Sequence, residues 1–298
     1  MHPDEQPTSV DLVRRLVAAQ FPAWAGLPVV PVTSSATIHA LYRLGDGLVA
    51  RLPRLDHSDR QARLDRDWLP RLAPYLPLAV PEQVALGAPG EGYPFTWSVC
   101  RWLAGGEPGP DLDQDHAARS LGAFVSALSG IRGSDGPPAD GSMPAERGVH
   151  VRVQDDDVRS HLAELGDRVD GQRLTAAWEG ALAAPAYDGT PVWVHGDLLP
   201  GNLLARDGRL TAVIDFGAFG SGDPAIDLVP AWTLLDAPAR AVFREAVGCD
   251  AATWTRGRGW ALSIGVGGYS YYPRTNPAFA AMAHGTIGRV LEDHAVAP

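Results

Sequence analysis

Lysine is absent from the 298 residues, so every residue counted as Lys or Arg is an arginine, and nine histidines complete the basic set. Any site that needs a fixed positive charge must therefore use arginine. There are two cysteines, Cys100 and Cys249, too few for a disulfide framework. Long apolar runs are missing as well. The best stretch, near Ile264, is broken by Gly265, Gly267 and Gly268, well short of the roughly 18 apolar residues that a membrane helix needs. Basic excess is also absent: a net charge of −10 and a pI near 5.3 exclude a broad nucleic-acid footprint, which depends on clustered cations. An acidic surface suits cationic ligands better. Met1 to Pro7 is polar, without the basic and apolar regions of a secretory leader, and a cytoplasmic location is expected.

With 45% apolar residues the chain can bury a proper core. Ser9 is placed to cap a helix that carries Val10, Leu12, Val13, Leu16 and Val17 on one face. Val29–Val32, Ile38–Leu44 and Leu48–Leu52 read as strands, with Gly45-Asp46-Gly47 turning a hairpin. A helix over Arg60–Leu72 and strands over Gln83–Leu86 and Phe95–Arg101 follow. From Asp115 onward the pattern is mainly helical: Asp115–Leu128, Asp156–Leu165, Leu174–Ala183 and a tail beginning near Ile226. A β-type region, Val192–Ile214, and a Gly/Pro-rich loop, Gly133–Gly148, interrupt it. The predicted class is α+β, with a small antiparallel sheet and helix over 1–103 and a larger, mainly helical part over 104–298.

Three short segments carry the chemistry: His195-Gly196-Asp197 with Asn202, Ile214-Asp215-Phe216-Gly217, and Gly222-Asp223-Pro224 with Asp227. Each alone is an ordinary turn sequence. Together, their residues at fixed spacing should arise by chance in roughly one chain of this length in several hundred. Phosphoryl transfer asks a protein for a carboxylate at the attacking hydroxyl, oxygen ligands for Mg²⁺ and positive charge around the phosphates. Asp197, on a loop after the apolar strand Val192–Val194, suits the first task. Asn202 and Asp215 make a pair of hard oxygen ligands for the second.

These segments resemble those of the aminoglycoside phosphotransferase superfamily, in particular its macrolide-phosphotransferase-like branch. The resemblance extends to Ala40-Leu41-Tyr42-Arg43-Leu44-Gly45, Val49-Ala50-Arg51-Leu52-Pro53-Arg54, Trp68-Leu69-Pro70 and Ser98-Val99-Cys100-Arg101-Trp102-Leu103. It implies a bilobal protein-kinase-like fold, Mg²⁺ as cofactor and ATP or GTP as phosphoryl donor. It also implies roles: Asp197 as catalytic base, Asn202 and Asp215 as metal ligands, and the strand through Ser98 and Cys100 to Trp102 as the hinge that holds the purine. His195 and Asp223 would brace the catalytic loop. Arg51 stands where relatives place the phosphate-holding lysine, with Asp65, or Asp67 in a shifted register, as its shorter helix partner. Ala36, Ile38 and His39 replace the Gly, Asp and Asn of related loops.

The acceptor is expected to be a small-molecule hydroxyl, of an aminoglycoside, a macrolide or a similar antibiotic, and the consequence resistance. Trp232, Trp254, Trp260, Tyr269, Tyr271 and Tyr272 read as a broad apolar pocket or as core, with Asp236, Glu245 and Asp250 as partners for an ammonium group. Two other readings stand beside this one: a metabolic kinase of the choline, homoserine or methylthioribose type, and a nucleotide-binding pseudo-kinase. Neither a nucleic acid nor a membrane is an expected partner, and the expected assembly is a monomer or a homodimer.

Overall fold

Ser9 ends an extended segment and accepts the Leu12 N–H at 3.2 Å, which starts helix α1 (Val10–Gln20). In this computed structural model the described residues are 5–32, 39–55, 59–131 and 147–296. The expectations for Ala36 and Ile38, and nearly all of the loop Gly133–Gly148, lie outside them. The chain divides into two compact units. One comprises Met1–Pro74, Ala79–Gly106 and Ala212–Ile214; the other comprises Tyr75–Leu78, Glu107–Thr211 and Asp215–Pro298.

The first unit is built on β1 (Val29–Pro31), β2 (His39–Leu44), β3 (Leu48–Pro53), β4 (Gln83–Gly87) and β5 (Trp97–Arg101), antiparallel in the order β1-β2-β3-β5-β4. Gly45, at φ +57°, turns the β2–β3 hairpin. The period of two sorts the strands' side chains onto two faces. Ala40, Tyr42, Leu44, Leu48, Ala50, Leu52, Trp97 and Val99 form the core with Leu12, Val13, Leu16 and Val17 of α1. The alternate residues, Arg51 opposite Ser98 and Val49 opposite Cys100, occupy the other face. Helix α2 (Asp59–Leu72) contacts β4 and β5, and it ends soon after Pro70, whose missing N–H weakens the last turn.

In the second unit, aspartates open the longer helices by accepting the N–H three residues on: Asp113 for α3 (Gln114–Gly130), Asp170 for α5 (Gly171–Ala183), Asp236 for α7 (Ala237–Val247) and Asp250 for α8 (Ala251–Tyr271). Helix α4 (Asp155–Leu165) lies between the first two in sequence, and α6 (Pro230–Thr233) precedes α7. Helix α8 runs through the core, against α4, α5 and α9 (Pro277–Val296). Its glycines permit that closeness: a Cβ on Gly259 would sit 2.6 Å from the Ala181 Cβ. Strand β6 (Val192–Val194) pairs with β9 (Gly220–Gly222), and β7 (Leu203–Arg206) joins β8 (Arg209–Val213), whose last two residues are counted with the first unit, through a turn at Asp207-Gly208, both at positive φ.

One ion pair inside this unit is fully enclosed. Arg256 on α8 grips the Asp223 carboxylate through Nε–Oδ2 at 2.7 Å and Nη2–Oδ1 at 3.2 Å. Removing one partner of such a pair strands the other charge, a loss of about 3–5 kcal/mol. Arg256→Met should therefore lower the Tm by roughly 10 °C. A thermal melt unchanged within about 2 °C would show that the pair does not hold this region together.

Candidate active site

Strand β6 delivers His195-Gly196-Asp197 to one end of the β6–β9 ladder. Gly196 adopts φ +79°, and a Cβ there would meet the Ala218 carbonyl oxygen at 2.4 Å, so only glycine fits. The His195 ring is fully buried, edge-on to Phe216 at 4.5 Å, and its Nδ1 accepts the Asp197 N–H at 3.2 Å. An accepting Nδ1 implies a neutral imidazole protonated on Nε2. The whole turn is gripped from behind by Asp227. Its Oδ2 accepts the His195 N–H at 2.7 Å and its Oδ1 accepts the Gly196 N–H at 2.8 Å.

The bracing expected of Asp223 thus falls to Asp227. Asp223 is committed elsewhere, to Arg256 and to the Ala225 N–H at 3.0 Å. It caps the 3-10 turn Pro224–Leu228, on which Asp227 stands, so its effect on the loop is one step removed. Burial drives the Asp227 carboxyl up to about 7, against the two backbone N–H groups that favour its ionised form.

Asp197 is partly buried, and burial raises its pKa, helped by the charge of Asp215 and opposed by Arg147 and by the Asn202 amide. A carboxylate of raised proton affinity is a better base toward a hydroxyl. Asn202 ends a 3-10 turn, Pro200–Asn202, and its Nδ2 donates to both the Asp197 main-chain oxygen and Oδ2, each at 2.8 Å. These two hydrogen bonds to Asp197 orient the amide, and its Oδ1 is the atom that could meet a cation. Asp215 holds a left-handed backbone, φ 61° and ψ 71°, unusual for a residue with a side chain and typical of positions constrained by function. One carboxylate and one amide oxygen are a sparse donor set. They suit Mg²⁺, which commonly takes one or two protein oxygens and completes its octahedron with phosphate and water. Among the described residues no cluster of three or more His, Cys, Asp or Glu offers a protein-only metal cage.

In the first unit, Arg51 Nη1 lies 2.9 Å from Asp65 Oδ2, with side-chain exposures of 11% and 2%. Asp65 rather than Asp67 is therefore the partner, since Asp67 pairs with Arg66 at the surface. Ser98 and Cys100 are buried on the Arg51 face of β5, and burial raises the Cys100 thiol. The Trp102 N–H is already bonded to the Gly47 carbonyl at 2.9 Å, and its ring lies under the Arg43 guanidinium at 4.8 Å.

The aromatic set of the C-terminal helices divides. Trp232, Trp254 and Trp260 are core residues, Tyr271 is exposed, and Tyr269 and Tyr272 are half-buried. Asp236 and Asp250 are spent as helix caps, and Glu245 is exposed on α7. Two residues escaped notice as site residues. Asp227 was visible as the last member of the third motif, without an assigned task. Arg147, whose charge acts on Asp197, follows a Gly/Pro-rich stretch that reads as loop.

The sequence matches the family model described as the phosphotransferase enzyme family over residues 31–260, and the chain belongs to that family. The fold is similar to the GDP complex of wild-type aminoglycoside 2′-phosphotransferase-IIIa: 19% identity, 96% of this chain and 100% of the other covered, TM-score 0.66. It is also similar to the GDP and kanamycin complex of APH(2″)-IIIa, at 19% identity, 96% and 99% coverage and a TM-score of 0.69. A third is the macrolide 2′-phosphotransferase MphH from Brachybacterium faecium, at 22% identity, 95% and 98% coverage and a TM-score of 0.59. At these identities the likeness speaks for the kinase-like fold. Among curated proteins, none matches the sequence.

Asp227 makes a pH-dependent contribution to stability. Its folded pKa, about 7, lies above the ordinary value of 3.8. The folded state therefore binds more protons between those limits, and stability falls as pH rises from about 4 to about 7. Asp227→Asn should flatten this part of the profile and also loosen the turn, since an amide NH₂ then faces one of the two N–H donors. Urea midpoints from pH 4 to 8 check this; an identical slope in the variant would contradict it.

Proposed function

We propose that the chain transfers the γ-phosphoryl group of ATP or GTP, with Mg²⁺, to a hydroxyl of an antibiotic-like small molecule. The observation that carries this reading is the geometry around Asp197: the turn before it is held by Asp227, and its main-chain oxygen and Oδ2 both accept from the Asn202 amide at 2.8 Å. Asp197 would orient the acceptor hydroxyl and take its proton as the oxygen attacks phosphorus. Asn202 Oδ1 and the Asp215 carboxylate would hold Mg²⁺, which neutralises charge on the nucleotide oxygens when bound. Arg51, oriented by Asp65, would hold the inner phosphates through its planar fork. Purine contacts would come from the backbone of the strand through Ser98, Cys100 and Trp102. His195 keeps the loop in shape and Asp223 fixes the turn behind it.

The solved relatives named above are aminoglycoside and macrolide phosphotransferases, two of them in GDP complexes, which supports a nucleotide donor and an antibiotic acceptor. The choline-type reading rested on an aromatic box, and the core positions of Trp232, Trp254 and Trp260 weigh against it. The intact Arg51–Asp65 pair weighs against a pseudo-kinase.

The test is transfer from γ-labelled ATP and GTP, with Mg²⁺, to macrolides, aminoglycosides and choline-like alcohols. A labelled antibiotic is expected, with Asp197→Ala slower by about 10²–10⁴-fold. Labelled choline alone would move the assignment to a metabolic kinase, and equal rates in wild type and Asp197→Ala would remove Asp197 from the chemistry.

A further inference from the structure

The end of α5 and the residues just after it are tied by arginines from two other elements. Arg152, in the 3-10 turn Val151–Gln154, donates from Nη2 to the Leu182 carbonyl at 3.1 Å, and Arg256 donates from Nη1 to the Pro185 carbonyl at 2.5 Å. Between that turn and this segment lies a cavity of about 590 Å³, a volume that suits a drug-sized molecule. His150, Arg152 and Val153 form one wall, and Leu182, Ala183 and Ala186 belong to the other. The second wall is bonded through Pro185 to the same Arg256 that grips Asp223, and Asp223 follows Gly222, the partner of Val192 at the start of β6. Asp197 lies beyond the other end of that strand. The cavity is therefore separate from the candidate active site.

The lining is apolar apart from two side chains, and no carboxylate belongs to it. Val153 leaves 43% of its surface to solvent, unusual for an aliphatic side chain in this fold. His150 is occupied: its Nδ1 accepts the Arg152 N–H at 3.1 Å, which implies a neutral ring protonated on Nε2. Burial and the charges of Arg152 and Arg256 also hold its pKa below the ordinary value. The fixed charge of the cavity is thus that of Arg152. Its Nη2 serves Leu182, while Nε and Nη1 have no acceptor within bonding distance among the described residues. Asp155, whose carboxylate feels the Arg152 charge, is itself paired with Arg159 Nε at 2.8 Å and Trp178 Nε1 at 2.8 Å. In a chain of net charge −10, an apolar cavity whose fixed charge is positive is complementary to an anion.

We propose that this cavity binds a small amphiphilic anion, a carboxylate, sulfonate or phosphate ester on an apolar body. The remaining donors of the Arg152 fork take the anionic head. Val153, Leu182 and Ala186 cover the body and remove it from water. The site needs no phosphoryl transfer, and its test is independent of the phosphotransferase reading.

Fluorescence titration of the full chain with 8-anilinonaphthalene-1-sulfonate, an apolar body with one sulfonate, tests this. N-phenyl-1-naphthylamine serves as the same body without the charge. ADP and Mg²⁺ are present throughout, so that a nucleotide site does not take up the dye. The sulfonate dye should bind the wild type, bind Arg152→Met about 10-fold less tightly, and lose its site in Ala183→Trp, whose indole fills the cavity from an exposed position. The uncharged dye should bind wild type and Arg152→Met alike. Equal affinity of the sulfonate dye for wild type and Arg152→Met overturns the assignment. So does an equal loss of both dyes in that variant, or no sulfonate binding to the wild type up to about 1 mM. Should Arg152→Met not fold, Ala183→Trp decides: undiminished sulfonate binding there overturns it.

Discussion

Asp227 receives two successive backbone N–H groups, from His195 and Gly196, and so sets the direction in which the chain leaves β6. Asp197 comes next. Its position depends on a carboxylate thirty residues further along the chain, on a short 3-10 turn whose own start is fixed by Asp223 and whose flank is fixed by Arg256. A buried carboxylate bonded to backbone amides is costly to desolvate and costly to lose, and such an anchor gives a loop one conformation instead of several. Around it the close fit of Gly196 against Ala218 and of Phe216 against His195 leaves little room for another path.

The parts of the second unit are linked in a line. Helix α8 presents Arg256, which holds Asp223; Asp223 caps the turn that carries Asp227; Asp227 holds the turn before Asp197; and Asn202 ties the Asp197 carboxylate from the other side. The left-handed backbone at Asp215 fits the same picture, since strain of this kind persists only where surrounding structure over-determines it. In the first unit the corresponding fixed point is the Arg51–Asp65 pair on the sheet face opposite α1. That an arginine fills this place follows from a chain without lysine.

Much of this was legible in the sequence, because local physics decides it. The alternation in β2 and β3, the Gly45-Asp46-Gly47 turn and the Ser9 cap declare themselves within a few residues, and the structure places each element within a residue or two of the expected bounds. Asp197, Asn202 and Asp215 could be singled out because they sit in short motifs, and the structure bonds the Asn202 amide to Asp197. What escaped depends on distant partners. No local pattern says that Asp227 rather than Asp223 holds the turn before Asp197, that Ala212 pairs with Ala79, or that Arg147 comes to rest over Trp260. Trp232, Trp254 and Trp260 were ambiguous for a different reason. Aromatics at helical spacing serve core and pocket equally well, and only burial separates the two.

The central claim is that Asn202 and Asp215 form the metal site of a phosphotransferase whose base is Asp197. Crystals grown with Mn²⁺ and a nucleoside diphosphate test it most directly, since anomalous scattering locates the ion. The account places manganese on Asn202 Oδ1 and the Asp215 carboxylate, bridging to the diphosphate, with Asp197 beside the site and unligated. An ion held elsewhere, or held by Asp197 in place of Asn202, would contradict it.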